Sequence, residues 1–313
     1  MNNKDFLSVA DLTREDIMRL ISSAVYMKTE GWTTALSEKV IILLFEKASV
    51  RTRVSFDVAM RQLGGHCIYL SPEEHGLGKR ESAPDAAQVL CRFTDAIVAR
   101  TFSHETLEIL SRYSSVPVIN ALSDVEHPCQ ALADLLTIFE HRDTLEGLTL
   151  TYIGDGNNVA NSLMLAASLT GMNFHIASPP GYEVPERILE MSREYTADTN
   201  ADIFCTEDPR LAVEGTDIVY TDVWTSMGQE DEAEQRRSVF ADYQVNDDLL
   251  SLAGRDALLM HPLPAHHGEE VAENILYSPQ SIVFDQAENR LHAQKALLAD
   301  ILGGLEISLK DFQ

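Results

Sequence analysis

Positive charge is scarce in this 313-residue sequence: 24 lysines and arginines stand against 49 aspartates and glutamates, for a formal net charge of -25. A surface of that sign repels phosphate backbones and acidic headgroups, which excludes nucleic acid and anionic membranes as partners. Long apolar runs are missing as well. None approaches the roughly 20 residues that span a bilayer. The opening MNNKDFLSVADLTRED has neither the apolar core of a signal peptide nor an Arg-rich transit pattern, so a cytoplasmic protein is expected. Cysteine is rare and scattered at Cys67, Cys91, Cys129 and Cys205, with no CxxC pair. Free thiols in a reducing compartment are expected, not a disulfide framework or a structural zinc site. His261, His266 and His267 lie near one another, but no cysteine or carboxylate stands at ligand spacing on a helix, so no metal is expected.

What is present is a chain long enough for two domains of about 150 residues, organised around residues 39–63, KVIILLFEKASVRTRVSFDVAMRQL. Residues 40–45 form a short apolar run rich in β-branched side chains, the pattern of a strand buried on both faces. From Val54 the apolar residues Phe56, Ala59, Met60 and Leu63 fall at helical spacing, and Gly64-Gly65 stops the helix. Ser49, Arg51, Thr52 and Arg53 therefore sit where a strand hands over to a helix. The first N–H groups of a helix lack intrahelical partners and carry its positive dipole end, so this junction suits an anion. The hydroxyls and the Arg51 fork suit a phosphate in particular. Equally, Ser49 reads as a plain N-cap with the arginines on a solvated face.

Around this stretch, strand patterns at 66–70, 96–99 and 116–120 alternate with helical ones at 12–27, 85–92 and 104–113. Residues 71–84 read as a mobile loop. Strands at 148–153, 174–177, 203–205, 217–220, 257–260 and 282–284 follow, with a helix at 185–195 and another from Ala287 through Leu302. The fold class is α/β, two doubly wound domains with central parallel sheets joined by two interdomain helices. One domain takes residues 1–142 plus 286–313, the other 143–285. Arg100 at a strand's carboxyl end points to the ligand crevice of such sheets. His127 is held extended before Pro128, which opens a helix, and Gln130 lies in its first turn. A neutral imidazole there can donate to a carbonyl oxygen while the amide pairs with an NH₂ group. The turn Gly154-Asp155-Gly156-Asn157-Asn158 raises a dinucleotide fold, but Val159 replaces the third glycine, and Ser178, Pro179 and Pro180 occupy the place of the ribose-binding acid, so NAD binding is disfavoured. Asp222, with a small polar residue four positions on, can grip a zwitterionic amino acid or merely cap a turn. The charged residues 229–237 read as the solvated end of a closing loop.

FEKASVRTRVSF, HPCQALADLLTI, the GDGNN turn, DVWTSMGQE, HPLPAHHGEEV and ENRLHAQKA occur in an order that resembles the carbamoyltransferase family, in its ornithine branch. The resemblance implies a transferase that moves a carbamoyl group from carbamoyl phosphate to L-ornithine, without a metal or organic cofactor, as a homotrimer or a multiple of trimers. It assigns Ser49, Val50 (through its N–H), Arg51, Thr52, Arg100, His127, Gln130, Leu263 (through its carbonyl) and Arg290 to carbamoyl phosphate, with Arg100, His127, Thr52 and Arg290 catalytic. Asn158, Asp222, Ser226 and Met227 are assigned to ornithine. Lys79, Arg80 and Ser82 lie in the loop that reaches a neighbouring subunit in relatives. Two departures stand out: Val50 replaces the usual threonine, and Pro262 replaces the cysteine of H-C-L-P, as in aspartate-specific relatives. They leave open another acceptor (aspartate or an N-acylated ornithine) or a non-catalytic ligand-binding relative.

Overall fold

The computed structural model describes residues 4–31, 33–77, 81–226 and 228–303. The chain falls into two compact units, one drawn from Met1–Leu136 and Glu288–Gln313, the other from Thr137–Ala287. Both divisions fall inside a helix, Pro128–Arg142 and Val283–Ile301. The boundaries expected at 142 and 286 lie in those same two helices.

In the first unit, β1 (Val40–Phe45), β2 (His66–Leu70), β3 (Ala96–Arg100) and β4 (Val118–Leu122) form a parallel sheet of order β2-β1-β3-β4. β1 is apolar throughout because helices cover both faces of a parallel sheet, and five of its six residues are buried. Ile42, Leu44, Ile97 and Ala99 pack with Ala86, Ala87, Leu107 and Leu110, which come from the helices Ala83–Leu90 and His104–Tyr113. The β1–β3 register places Phe45 opposite Arg100. Since β2 lies on one side of β1 and β3 on the other, the crevice between β1 and β3 is the point where the winding reverses.

In the second unit, β5 (Thr149–Ile153), β6 (Asn173–Ala177), β7 (Ile203–Thr206), β8 (Ile218–Thr221) and β9 (Leu258–Met260) form a parallel sheet of order β7-β6-β5-β8-β9. Its reversal lies between β5 and β8, where Ile153 stands opposite Thr221 and the Thr221 hydroxyl donates to the Ile153 carbonyl at 2.7 Å. The helix Asn158–Thr170 is buried from Val159 onward, in keeping with its almost wholly apolar or small side chains.

Four expectations are corrected. Pairing in β4 begins at Val118, two residues late, because Pro117 has no N–H for the ladder. Residues 71–84 contain a short helix, Pro72–His75, and the start of the helix Ala83–Leu90; Ser82 caps the latter by accepting from the Asp85 N–H. Residues 282–284 make one bridge-like contact, Ile282 N–H to the Leu259 carbonyl at 3.0 Å, and then enter the helix Val283–Ile301, whose first turn Asp285 favours. Residues 229–237 are not simply solvated, since they hold the helix Ala233–Val239 with Arg236 buried. Lys79 and Arg80 lie outside the described residues.

Gly156 shows why the turn after β5 needs glycine. A Cβ there would sit 2.3 Å from the Val184 nitrogen and 2.4 Å from the Glu183 carbonyl carbon, both backbone atoms. Gly156→Ala must push these segments apart, and overpacking of that kind costs about 1–3 kcal/mol. The expected outcome is a lower urea midpoint, and an unchanged midpoint would contradict the close approach.

Candidate active site

The first unit gathers its functional side chains at the carboxyl edges of β1 and β3. Ser49 caps the helix Val50–Gln62: its Oγ accepts from the Thr52 N–H at 3.3 Å and donates to the Thr52 hydroxyl at 3.0 Å. The helix thus starts at Val50, and the cap and anion readings of Ser49 are compatible, because the Val50 and Arg51 N–H groups still face outward from the first turn. Val50 is exposed and Thr52 buried. Arg53 turns away and stacks on the Tyr69 ring, 4.0 Å from its centroid.

Arg100, at the end of β3, is 6% exposed, and its Nε has no hydrogen-bond partner among the described residues. Burial first, then the charges of Arg290 and Arg51, push its pKa down to about 10. Neither Arg51 nor Arg100 forms an ion pair with a carboxylate among the described residues. Arg290, buried on the helix Val283–Ile301, donates to the Gln130 side-chain oxygen at 2.6 Å and to the Thr52 hydroxyl at 3.4 Å. Gln130 in turn donates to Asp134 at 2.8 Å, which fixes which end of the amide is oxygen. His127 is buried beside these cations; burial, Arg290 and Arg100 hold its pKa well below the usual imidazole value, so the ring is neutral at pH 7. A buried Arg100 repelled by Arg290 and Arg51, a neutral imidazole and an open helix start make an arrangement chemically suited to a compact dianion.

The second unit presents an acid instead. Asp222 follows β8 and is 9% exposed. Burial raises its pKa, against the lowering influences of His261, the Val223 N–H and Asn157. Asn157 donates to Asp222 at 3.0 Å while its oxygen caps the helix Asn158–Thr170 by accepting from the Val159 and Ala160 N–H groups. Asn158 is the first residue of that helix and half-buried. Ser226 is half-buried, its N–H held by the Gln229 side chain at 3.0 Å; Met227 lies outside the described residues.

His261 is fully buried after β9. Its Nδ1 accepts from the Leu263 N–H at 2.9 Å, so the ring proton resides on Nε2, which donates to Glu270 at 3.1 Å. This network holds Leu263 at a φ of +54° and so fixes the direction of its carbonyl. Glu269 and Glu270 come within 4.8 Å of His266, in a turn and not on a helix, which sequence spacing did not reveal. Glu270 is already engaged by His261 and by the His266 N–H.

Within the first unit the structure brings together Ser49, Arg51, Thr52, Arg100, His127, Gln130 and Arg290; within the second it brings Asp222 to Asn157. Three residues escaped the sequence reading. Asn157 had a signal, as an amide one position before an apolar helix. Arg236 and Glu270 had none, since a charged residue in a charged run looks solvated.

The first unit gathers cations at a helix start and the second buries a carboxylate at its sheet edge, charges of the kind a transferase with an anionic donor and an amine acceptor calls for. Residues 4–140 match the carbamoyl-P binding domain of aspartate/ornithine carbamoyltransferase, and residues 146–301 match its Asp/Orn binding domain. The chain belongs to the aspartate/ornithine carbamoyltransferase family. It is 52% identical to the ornithine carbamoyltransferase of Nostoc punctiforme over 300 residues, covering 96% of this chain and 97% of the relative. With the anabolic ornithine carbamoyltransferase of Pyrococcus furiosus it shares 47% over 307 residues, covering 97% and 98%. A solved structure of ornithine carbamoyltransferase from Pyrococcus furiosus superposes with a TM-score of 0.94 at 46% identity, covering 97% of this chain and 99% of that one.

The His127 shift has a sign that can be measured. Its folded pKa lies below the unfolded value of about 6.5, so only the unfolded chain gains a proton just under that pH, and stability falls by up to about 1.4 kcal/mol per pH unit from this group. His127→Asn lacks that contribution. Urea midpoints between pH 7 and pH 5.5 are expected to fall less steeply in the variant, and equal slopes would refute the neutral buried imidazole.

Proposed function

We propose that the chain transfers the carbamoyl group of carbamoyl phosphate to the side-chain amine of L-ornithine, giving L-citrulline and phosphate. The observation that carries this reading is the set of repelling guanidinium groups around a neutral His127 in the first unit, with no carboxylate ion pair at Arg51 or Arg100 among the described residues. The carbamoyl phosphate-binding role falls to the first unit and the ornithine-binding role to the second.

In the reaction, the neutral amine attacks the carbamoyl carbon, negative charge develops on the carbonyl oxygen, and the C–O bond to phosphate breaks as the amine passes its proton to the departing phosphate. Ser49, the Val50 N–H, Arg51, Thr52 and Arg100 hold the phosphate and stabilise it as it leaves. Arg100, Thr52, His127 and Arg290 direct donors at the developing oxyanion. Gln130 and the Leu263 carbonyl orient the NH₂ group. Asp222 takes the α-ammonium of the acceptor, with Ser226, Met227 and Asn158 completing its grip on the amino acid. Phosphate is already a good leaving group, so none of these steps calls on a metal or an organic cofactor. A cytoplasmic homotrimer, or a multiple of trimers, fits the family.

Pro262, where ornithine-specific relatives carry cysteine, favours a second reading in which another zwitterionic amine is the acceptor. An acceptor screen with carbamoyl phosphate decides between ornithine, aspartate, putrescine, acetylornithine and succinylornithine; product from aspartate alone would overturn the ornithine assignment. Loss of one oxyanion donor costs about 100- to 1000-fold in turnover, so Arg100→Ala is expected to lose at least that much. Near-normal citrulline formation by this variant would refute its role. Light scattering on the active protein is expected to give a trimer or a multiple, and a fully active monomer would exclude that assembly.

A further inference from the structure

Arg236 sits on the helix Ala233–Val239, in the stretch with the densest surface charge, yet it is 5% exposed. Its guanidinium Nη1 donates to Asp155 at 2.7 Å and to the Trp224 carbonyl at 2.9 Å, while Nε donates to Glu232 at 3.1 Å. The group also lies over the Tyr182 ring, 4.9 Å from its centroid. One side chain therefore reaches the turn after β5, the loop after β8 and the segment at Tyr182, whose carbonyl accepts from the Gly156 N–H at 2.7 Å.

We infer that Arg236 is a positioning residue for the acceptor, which leaves Asp222 at this sheet edge without a lysine or arginine partner among the described residues and fixes the point from which the Ser226 loop departs. The inference rests on the proposed function and adds a determinant of acceptor binding to it.

Two carboxylates, Asp155 and Asp222, follow the adjacent strands β5 and β8. Both would attract an ammonium if left alone. Asp155 is spoken for by Arg236, whereas Asp222 pairs with no lysine or arginine among the described residues and is met by Asn157 and the Val223 N–H. Burial works against the Arg236 charge, but the Asp155 and Glu232 carboxylates outweigh it and raise its pKa. Burial also raises the Asp155 pKa, against the lowering influence of Arg236, so the pairing rests on its geometry, a 2.7 Å contact between two buried groups.

The second consequence is geometric. Trp224 is two residues beyond Asp222 and is buried against Phe240, with ring centroids 6.1 Å apart. Holding its carbonyl fixes the chain just before Thr225 and Ser226. A lysine keeps the charge but cannot donate in fixed directions to two carboxylates and a carbonyl at once.

Steady-state kinetics of Arg236→Lys, Arg236→Met and the double variant Asp155→Asn/Arg236→Met test this, with urea midpoints alongside. The expected result for Arg236→Met is a KM for ornithine raised at least tenfold and a KM for carbamoyl phosphate within twofold of wild type, with Arg236→Lys intermediate. The double variant removes the stranded buried carboxylate, so it should regain stability over the single variant while keeping the high ornithine KM. If ornithine KM returns to normal together with stability, or if both KM values rise equally, the role is structural and the inference fails. Should Arg236→Met not fold, Arg236→Lys decides on the same two KM values. The wild-type assay separates the two ideas: no citrulline from wild type sinks the functional reading, whereas normal citrulline formation with unchanged ornithine KM in the variants sinks the role of Arg236.

Discussion

Repulsion of Arg100 by Arg51 and Arg290 is the constraint to which the rest of the first unit answers. Cations in a partly buried setting are unfavourable unless an anion joins them, and this unit keeps them close by fixing each to a different rigid support. Arg51 belongs to a helix start, Arg100 to a strand end, and Arg290 to a long helix where Gln130 and Thr52 hold it. In the proposed function, a bound dianion relieves that repulsion. Burial first, and then the charges of Arg290 and Arg100, keep His127 unprotonated, so the ring adds no further positive charge.

The second unit sets the opposite polarity at the strand-order reversal of its own sheet. At the reversal between β5 and β8 it buries a carboxylate, answers it with an amide and a backbone N–H, and spends its buried arginine on the neighbouring acid. Both sheets thus use the ends of adjacent parallel strands, where successive turns converge and side chains from distant parts of the sequence meet.

Much of this was legible from residue order. Six apolar residues at 40–45 can hardly be anything but a doubly covered strand, and the His127-Pro128 pair marks a helix start by steric restriction alone. The two-unit α/β architecture followed from the alternation of such patterns, and motif order pointed to the family. What stayed hidden depends on long-range closure. Arg236 meets residues 81 and 12 positions away, and nothing local distinguishes it from Arg237, which remains on the surface with Glu269. Ile282 could extend a sheet or precede a helix with equal ease, and the 3.6-residue pattern downstream decided it. Asn157 and Asn158 are chemically identical, so only the cap geometry shows that the first of them faces Asp222.

Pro262 carries a chemical consequence beyond acceptor choice. The second unit, residues 137–287, has a single sulfhydryl, Cys205 on β7, and β6 separates that strand from β5 and the edge where Asp222 sits. Thiol-directed alkylating reagents therefore find no cysteine in the second unit beside Asp222, where a cysteine at position 262 would offer one.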